Sequence, residues 1–217
     1  MTKLMTARQR EDFFDCLHKA YPNPKCELVW HNTWELIVAI ILSAQTTDKN
    51  VNLRTPALFK AANTPEATLK LGEDKVKSYL TSINYYNNKT RSIMALATTL
   101  HEKYHDEMPK DFETLLTLPG IGRKTASVFL NVAYNAPYIG VDTHVFRLVH
   151  RLGICTGKTP EEVQEKLQSI VPDKYKPTVA LALVLLGRYI CTAKKLRCNE
   201  CPVYKVCCSD EKIKGLS

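Results

Sequence analysis

Glycine is scarce in this sequence, at 8 of 217 residues. No segment sustains the alternation of apolar and polar residues that a half-buried strand requires. Internal repeats, low-complexity tracts and long linkers are also missing. The longest apolar run, Leu36–Leu42, falls well short of the roughly 20 residues that cross a bilayer. Residues 1–12 are polar and charged and lack the apolar centre of a signal peptide. Acidic side chains are in short supply, 22 against 30 basic ones, for a formal charge of +8. These absences lead to the expectation of a soluble, intracellular, monomeric protein with no membrane association. An apolar fraction of 45% excludes disorder and supplies a core. The basic excess fits a polyanionic partner such as nucleic acid, or equally a solvated basic surface.

What is present is helical pattern, rich in Leu, Ala, Lys and Glu. Ala7–Tyr21 carries Phe13, Phe14, Leu17 and Ala20 on one side and meets Pro22 and Pro24. Asn32, with Glu35 three residues on, reads as a capping box. The helix behind it, Thr33–Gln45, is apolar almost all round and belongs in the core. Asp48 reads as the cap of the next helix. Further helices are predicted over roughly 74–81, 86–105, 110–117, 123–133, 143–153, 159–170 and 176–190. The fold class is all-α.

Two short segments stand out between helices. In Leu118-Pro119-Gly120-Ile121-Gly122-Arg123-Lys124-Thr125, proline ends one helix and the glycines allow backbone angles that other residues resist. The next helix would point its free N–H groups out of the turn, an anion site suited to phosphate, with Arg123 adding charge. Taken alone, Gly-X-Gly is an ordinary tight turn and Lys124 an ordinary surface lysine. The lysine does sit against the positive end of a helix dipole, and a neutral amine there is a nucleophile. In Val141-Asp142-Thr143-His144, Asp142 reads as a helix cap. A capped carboxylate stays ionised and can stabilise positive charge on a sugar.

Cysteine is not spread as in a disulfide framework. Cys16, Cys26 and Cys155 stand apart, whereas Cys191, Cys198, Cys201, Cys207 and Cys208 crowd the C-terminal region. Such clustering argues for metal. The spacing Cys191-x6-Cys198-x2-Cys201-x5-Cys207 suits either tetrahedral zinc or a [4Fe–4S] cluster. Cys208 is an alternative fourth ligand. Lys194, Lys195 and Arg197 lie on the loop between the first two cysteines, placed to meet phosphates or simply water.

The run Leu118–Asp142, ending in Val-Asp-Thr-His, resembles the helix-hairpin-helix DNA glycosylases, and more narrowly the endonuclease III family. The resemblance covers about residues 28–208. It implies two helical lobes with a central cleft: a helical barrel of residues 22–132, and a discontinuous domain of residues 1–21 plus 133–217 carrying a [4Fe–4S] cluster on Cys191, Cys198, Cys201 and Cys207. It implies Lys124 as nucleophile and Asp142 as the essential acid. It implies a bifunctional DNA glycosylase and AP lyase of base excision repair, acting on oxidised or saturated pyrimidines in double-stranded DNA and on abasic sites, and nucleoid-associated if bacterial. Gly120, Gly122 and Arg123 would grip the DNA backbone. A flipped nucleotide leaves a gap, which the resemblance assigns to Gln45 in Leu42–Asp48. The wedge position, commonly leucine, is Tyr85 here. The preceding glycine is Asn84, a residue that tolerates unusual backbone angles. Rival readings are a monofunctional mismatch glycosylase, whose members lack the lysine, and a non-catalytic DNA-binding module.

Overall fold

In the computed structural model residues 3–212 are described. Among them are eleven α-helices: α1 (Ala7–Ala20), α2 (Thr33–Ser43), α3 (Asp48–Ala61), α4 (Pro65–Leu71), α5 (Glu73–Leu80), α6 (Tyr86–Tyr104), α7 (Phe112–Leu116), α8 (Arg123–Tyr134), α9 (Thr143–Leu152), α10 (Pro160–Ile170) and α11 (Lys176–Leu185). The described residues hold no β-strand, only an isolated antiparallel bridge between Cys191 and Leu196. They divide into two compact units. One is Glu27–Tyr134, and the other is the described part of Met1–Cys26 and Asn135–Ser217. Among the described residues no helix is long and apolar enough to cross a membrane.

The unit Glu27–Tyr134 is built round α2. Every residue from Trp34 to Leu42 is buried, and α2 packs on α3, α6 and α8. Asn32 caps it, its Oδ1 accepting from Glu35 N–H at 2.9 Å. Glu35 does not complete the predicted capping box. Its carboxylate accepts instead from the His31 N–H at 2.7 Å and meets His31 Nδ1 at 2.8 Å. A carboxylate only 3% exposed is thereby satisfied by the residue before the cap. α2 ends at Ser43, two residues earlier than predicted, because Gln45 takes a left-handed backbone (φ 54). The cap of α3 is Thr47, whose hydroxyl accepts from Asn50 N–H, and Asp48 is the first helical residue. The sequence pattern missed α4. Its seven residues are too few to show periodicity, although Thr64 as cap and Pro65 in the first turn are a legible start signal.

In the other unit, α1 carries a true capping box between Thr6 and Gln9. It buries Phe13, Phe14 and Leu17 in a core shared with Val145, Leu148 and Val149 of α9, Val163 and Leu167 of α10, and Val179 and Leu183 of α11. The span predicted as one helix, 176–190, changes its winding. α11 stops at Leu185, and Leu186–Ile190 continue as a π-helix that leads directly into Cys191. Gly187 sits in this wide turn against α9. A Cβ there would lie 3.1 Å from His144 Cβ and 3.3 Å from Leu148 Cδ1. The Gly187 carbonyl accepts from Arg147 Nη2 at 2.7 Å, and the same Nη2 reaches Cys191 O at 3.1 Å. One guanidinium thus ties the helix of Asp142 to the start of the cysteine segment. Gly187→Val should therefore destabilise the protein by about 1–3 kcal/mol through overpacking. Urea unfolding measures this, and an unchanged midpoint would contradict the close approach.

Candidate functional site

The hairpin between α7 and α8 is set by one glycine and left open at the other. Gly120 has φ 75, and a Cβ on it would come within 2.8 Å of Ser92 Cβ on α6. Both backbone angle and contact demand glycine. Ile121 is buried and its N–H closes the turn onto Leu118 O at 3.2 Å. Gly122 differs. Its φ is not positive, contrary to the sequence expectation, and a Cβ there would meet nothing within 4 Å. The fold itself places no demand for glycine at this position. A bare Gly122 leaves room for a close approach from outside the chain. Its carbonyl accepts from Ala126 N–H at 2.9 Å and so begins α8.

The first turn of α8 presents Arg123 and Lys124, both exposed. Arg123 lies over the Phe112 ring at 5.4 Å, which orients its guanidinium on the hairpin surface. The amides of this turn have no carbonyl within their own helix, so hairpin amides, helix dipole and Arg123 form an edge suited to an anion.

Asp142, in the other unit, is half-buried and caps α9, its Oδ1 accepting from Val145 N–H at 2.8 Å. The cap engages one oxygen. An ionised carboxylate accepts at two, so capping leaves capacity to face a developing cation.

Gln45 and Tyr85 come from turns that the unit Glu27–Tyr134 brings together. Both are exposed, and both adopt left-handed backbone, with φ 54 and φ 59. The unusual angle falls on Tyr85 and not on Asn84, as the sequence reading had it. Asn84 instead uses its side chain, donating Nδ2–H to Gln45 O at 2.7 Å. Tyr85 is 63% exposed, so a large aromatic is held in water on a strained backbone. That combination marks functional positions more than packing.

The sequence reading missed Lys89 as a structural determinant of this site. Its ammonium is buried and donates to Leu42 O at 2.8 Å, Ala44 O at 2.6 Å and Thr46 Oγ1 at 3.2 Å. All three donors of the ammonium are used, and burial pushes its pKa down. A buried lysine has no signature in helical periodicity, and only the acceptors at the end of α2 explain it.

Cys191, Cys198, Cys201 and Cys207 line one cavity of about 410 Å³ including its open mouth, and Cys208 is not on its wall. The Cys208 thiol faces Val206 O at 3.8 Å. Burial pushes the Cys201 thiol up to about 11; the Val203 N–H opposes this, and Cys207, Cys191 and Cys198 add to it. Burial likewise raises Cys207, partly offset by Ser209 N–H and Lys212. Four thiols on one wall are the soft donor set that zinc or an iron–sulfur cluster takes. Arg151 Nη1 lies 3.6 Å from Cys191 Sγ and donates to Thr192 O at 2.8 Å. Among the described residues, no group of three or more His, Cys, Asp or Glu is spaced for a single metal ion.

Thr192 Oγ1 closes the cation-bearing loop, donating to Lys195 O and accepting from Lys195 N–H. Lys194 and Lys195 are exposed. Arg197 is engaged in a two-point pair with Glu200, at 3.0 and 2.6 Å. A phosphate would have to compete with that carboxylate, which the loop sequence did not reveal.

The two hairpin glycines make a separable prediction. Gly120→Val should lower both thermal stability and affinity for duplex DNA. Gly122→Val should leave the melting temperature within about 2 °C, an exposed change being worth about 0.5 kcal/mol or less, while weakening DNA binding. Scanning calorimetry with a fluorescence-anisotropy titration separates them, and equal affinity for Gly122→Val would remove Gly122 from the interface.

The model of the HhH-GPD superfamily of base excision DNA repair proteins matches residues 38–173. Endonuclease III of Treponema pallidum (strain Nichols) is 43% identical over 208 residues, covering 96% of this chain and 99% of the relative. Endonuclease III of Rickettsia conorii is 45% identical over 203 residues, covering 94% and 97%. A solved structure of an endonuclease III trapped as a covalent intermediate with DNA superposes with a TM-score of 0.88 at 38% identity, over 94% of this chain and 96% of that one. The chain belongs to the HhH-GPD superfamily of base excision DNA repair proteins and, within it, to the endonuclease III family.

Proposed function

We propose that this base excision DNA glycosylase and AP lyase removes oxidised or saturated pyrimidines from duplex DNA through Lys124 and cuts the strand 3′ of the abasic site. The observation that carries the reading is Lys124 itself, exposed on the first turn of α8 behind a hairpin whose Gly122 keeps a bare backbone facing outward. The hairpin amides, with Gly120, Gly122 and Arg123, take the DNA backbone, as do Lys194, Lys195 and, once freed from Glu200, Arg197. Gln45 and Tyr85 enter the duplex where the damaged nucleotide leaves. Residence with the genome places the protein inside the cell.

The chemistry follows from the two roles. The Lys124 Nζ lone pair attacks C1′ and the bond from C1′ to the base breaks, the pair of electrons leaving with the base, which takes up a proton. The Asp142 carboxylate stabilises the positive charge at the sugar. The C1′–O4′ bond then breaks, O4′ taking up the proton that Nζ gives up, which leaves a protonated imine between Nζ and C1′. The imine draws electrons from C2′, a proton is lost there, and the bond from C3′ to its phosphate oxygen breaks. A glycosylase without a lysine nucleophile would stop at the free abasic site.

Four thiols on one cavity fit a [4Fe–4S] cluster, with Cys191, Cys198, Cys201 and Cys207 as ligands. When bound, the cluster supplies a covalent cross-link to a short segment with little core of its own. The residues of this chain do the rest: Arg147 donates to Cys191 O and Arg151 to Thr192 O, and the bridge from Cys191 to Leu196 closes the basic loop.

Borohydride should trap the wild-type protein covalently on abasic-site DNA, and Lys124→Gln should give no adduct. Asp142→Asn should slow base release about 100-fold or more while still forming some adduct on a preformed abasic site. An undiminished adduct with Lys124→Gln would overturn the nucleophile assignment. Iron and acid-labile sulfide assays should return about four of each per chain. Cys201→Ser should lose both and Cys208→Ser should keep them; loss with Cys208→Ser would reassign the fourth ligand.

A further inference from the structure

We infer that Asn84 is a positioning residue that presets Gln45 and Tyr85 as one rigid unit for entry into the duplex, an inference that rests on the entry of those two side chains proposed above. The turns that carry them are 39 residues apart in sequence, and the Asn84 amide spans them by donating to the Gln45 carbonyl at 2.7 Å. Lys89 and Asn50 also join the two turns, and the Thr46 N–H closes the Gln45 turn onto Ser43 O at 3.1 Å, but none of these takes the Gln45 carbonyl. Lys89 takes the carbonyls on either side of Ser43 and the Thr46 hydroxyl. Asn50, on the first turn of α3, donates to Ser82 O at 3.2 Å. Lys89 therefore fixes the approach to the turn, Asn50 fixes its exit, and the Gln45 peptide itself is held by Asn84.

Position and exposure say why this matters. Gln45, Asn84 and Tyr85 are all exposed, so the hydrogen bond is not needed to satisfy a buried group and contributes little to the core. Gln45 and Tyr85 both occupy left-handed backbone, a conformation that non-glycine residues leave readily unless something holds them. With the Gln45 carbonyl tied to the residue preceding Tyr85, rotation of either turn drags the other. The two side chains would then reach the helix in one step, and the ordering entropy of the second is already met before DNA binds. An asparagine amide suits the task because it has a donor, a short reach and no charge to attract phosphate into the gap.

The test compares two substrates. One is a duplex with a single 5,6-dihydrothymine, which requires insertion. The other is a single-stranded abasic oligonucleotide, which has no opposing strand to fill and reads Lys124 chemistry alone. Asn84→Leu keeps the size and removes the donor, and Asn84→Gly removes the amide without adding bulk. Each should lower the ratio of single-turnover excision on the duplex to borohydride trapping on the single strand by about 2- to 10-fold, the worth of one hydrogen bond. Each should also slow the rise of 2-aminopurine fluorescence placed beside the lesion. In a Gln45→Ala/Tyr85→Ala background the Asn84 substitutions should add little, because both side chains to be aimed are gone. Additive losses, or equal losses on both substrates, would make Asn84 a merely structural residue and overturn the proposal. If Gln45→Ala and Tyr85→Ala change neither ratio nor fluorescence, the insertion reading itself fails and this proposal falls with it. If those two variants are impaired and the Asn84 variants are not, only the proposal falls.

Discussion

A single buried ammonium organises one end of the central helix in the unit Glu27–Tyr134. α2 is apolar on nearly every side, so it can only sit in the core. Its C-terminal carbonyls must nevertheless find donors or the burial fails. Lys89 supplies them, with a positive charge at the negative end of the dipole. The charge is costly to bury, and the downward push on its pKa reflects that cost. Three acceptors meet three donors, so no unpaired charge remains. What emerges from this arrangement is a turn, Gln45–Thr47, projected outward from the most rigid part of the unit. Backbone that leaves a well-anchored helix can hold a left-handed residue in water, which a free loop could not.

The same logic governs the other unit, where an arginine replaces the lysine. Arg147 on α9 takes carbonyls from the π-turn and from Cys191. Gly187 lets the two helices approach closely enough for those bonds to form. α9 also carries Asp142 as its cap. Helix, cap and cysteine segment are thus fixed by one set of contacts, and the basic loop between Cys191 and Cys198 inherits its position from them. A short basic segment would need this to meet a polyanion in a fixed orientation, because charge alone gives attraction without orientation.

Much of this was legible from residue order. Amphipathic spacing identified α1, α6, α8, α9 and α10, because a buried face imposes its period on the sequence. The Asp142 cap was legible because capping is local, three residues from carboxylate to amide. The hairpin was legible from its glycines, although only Gly120 uses the backbone freedom that glycine allows. Less legible were features in which distant residues compete for one partner. Glu35 had a plausible partner in the Asn32 N–H and took that of His31. Arg197 looked available to phosphate and pairs with Glu200. Asn84 looked like a residue chosen for its backbone and acts through its side chain.

The sequence by itself determined the helical class, the hairpin and the cysteine cluster, because each depends on residue type at short spacing, while the nucleophile and the four ligands came from the family resemblance. The tertiary structure decided which of those residues share a surface. It placed four cysteines round one cavity and turned Cys208 away from it. It brought the Gln45 and Tyr85 turns within one hydrogen bond of each other, and it left Gly122 bare with nothing of the chain's own against it. These outcomes depend on how helices pack, and packing is a property of buried volume and close approach that no local spacing encodes.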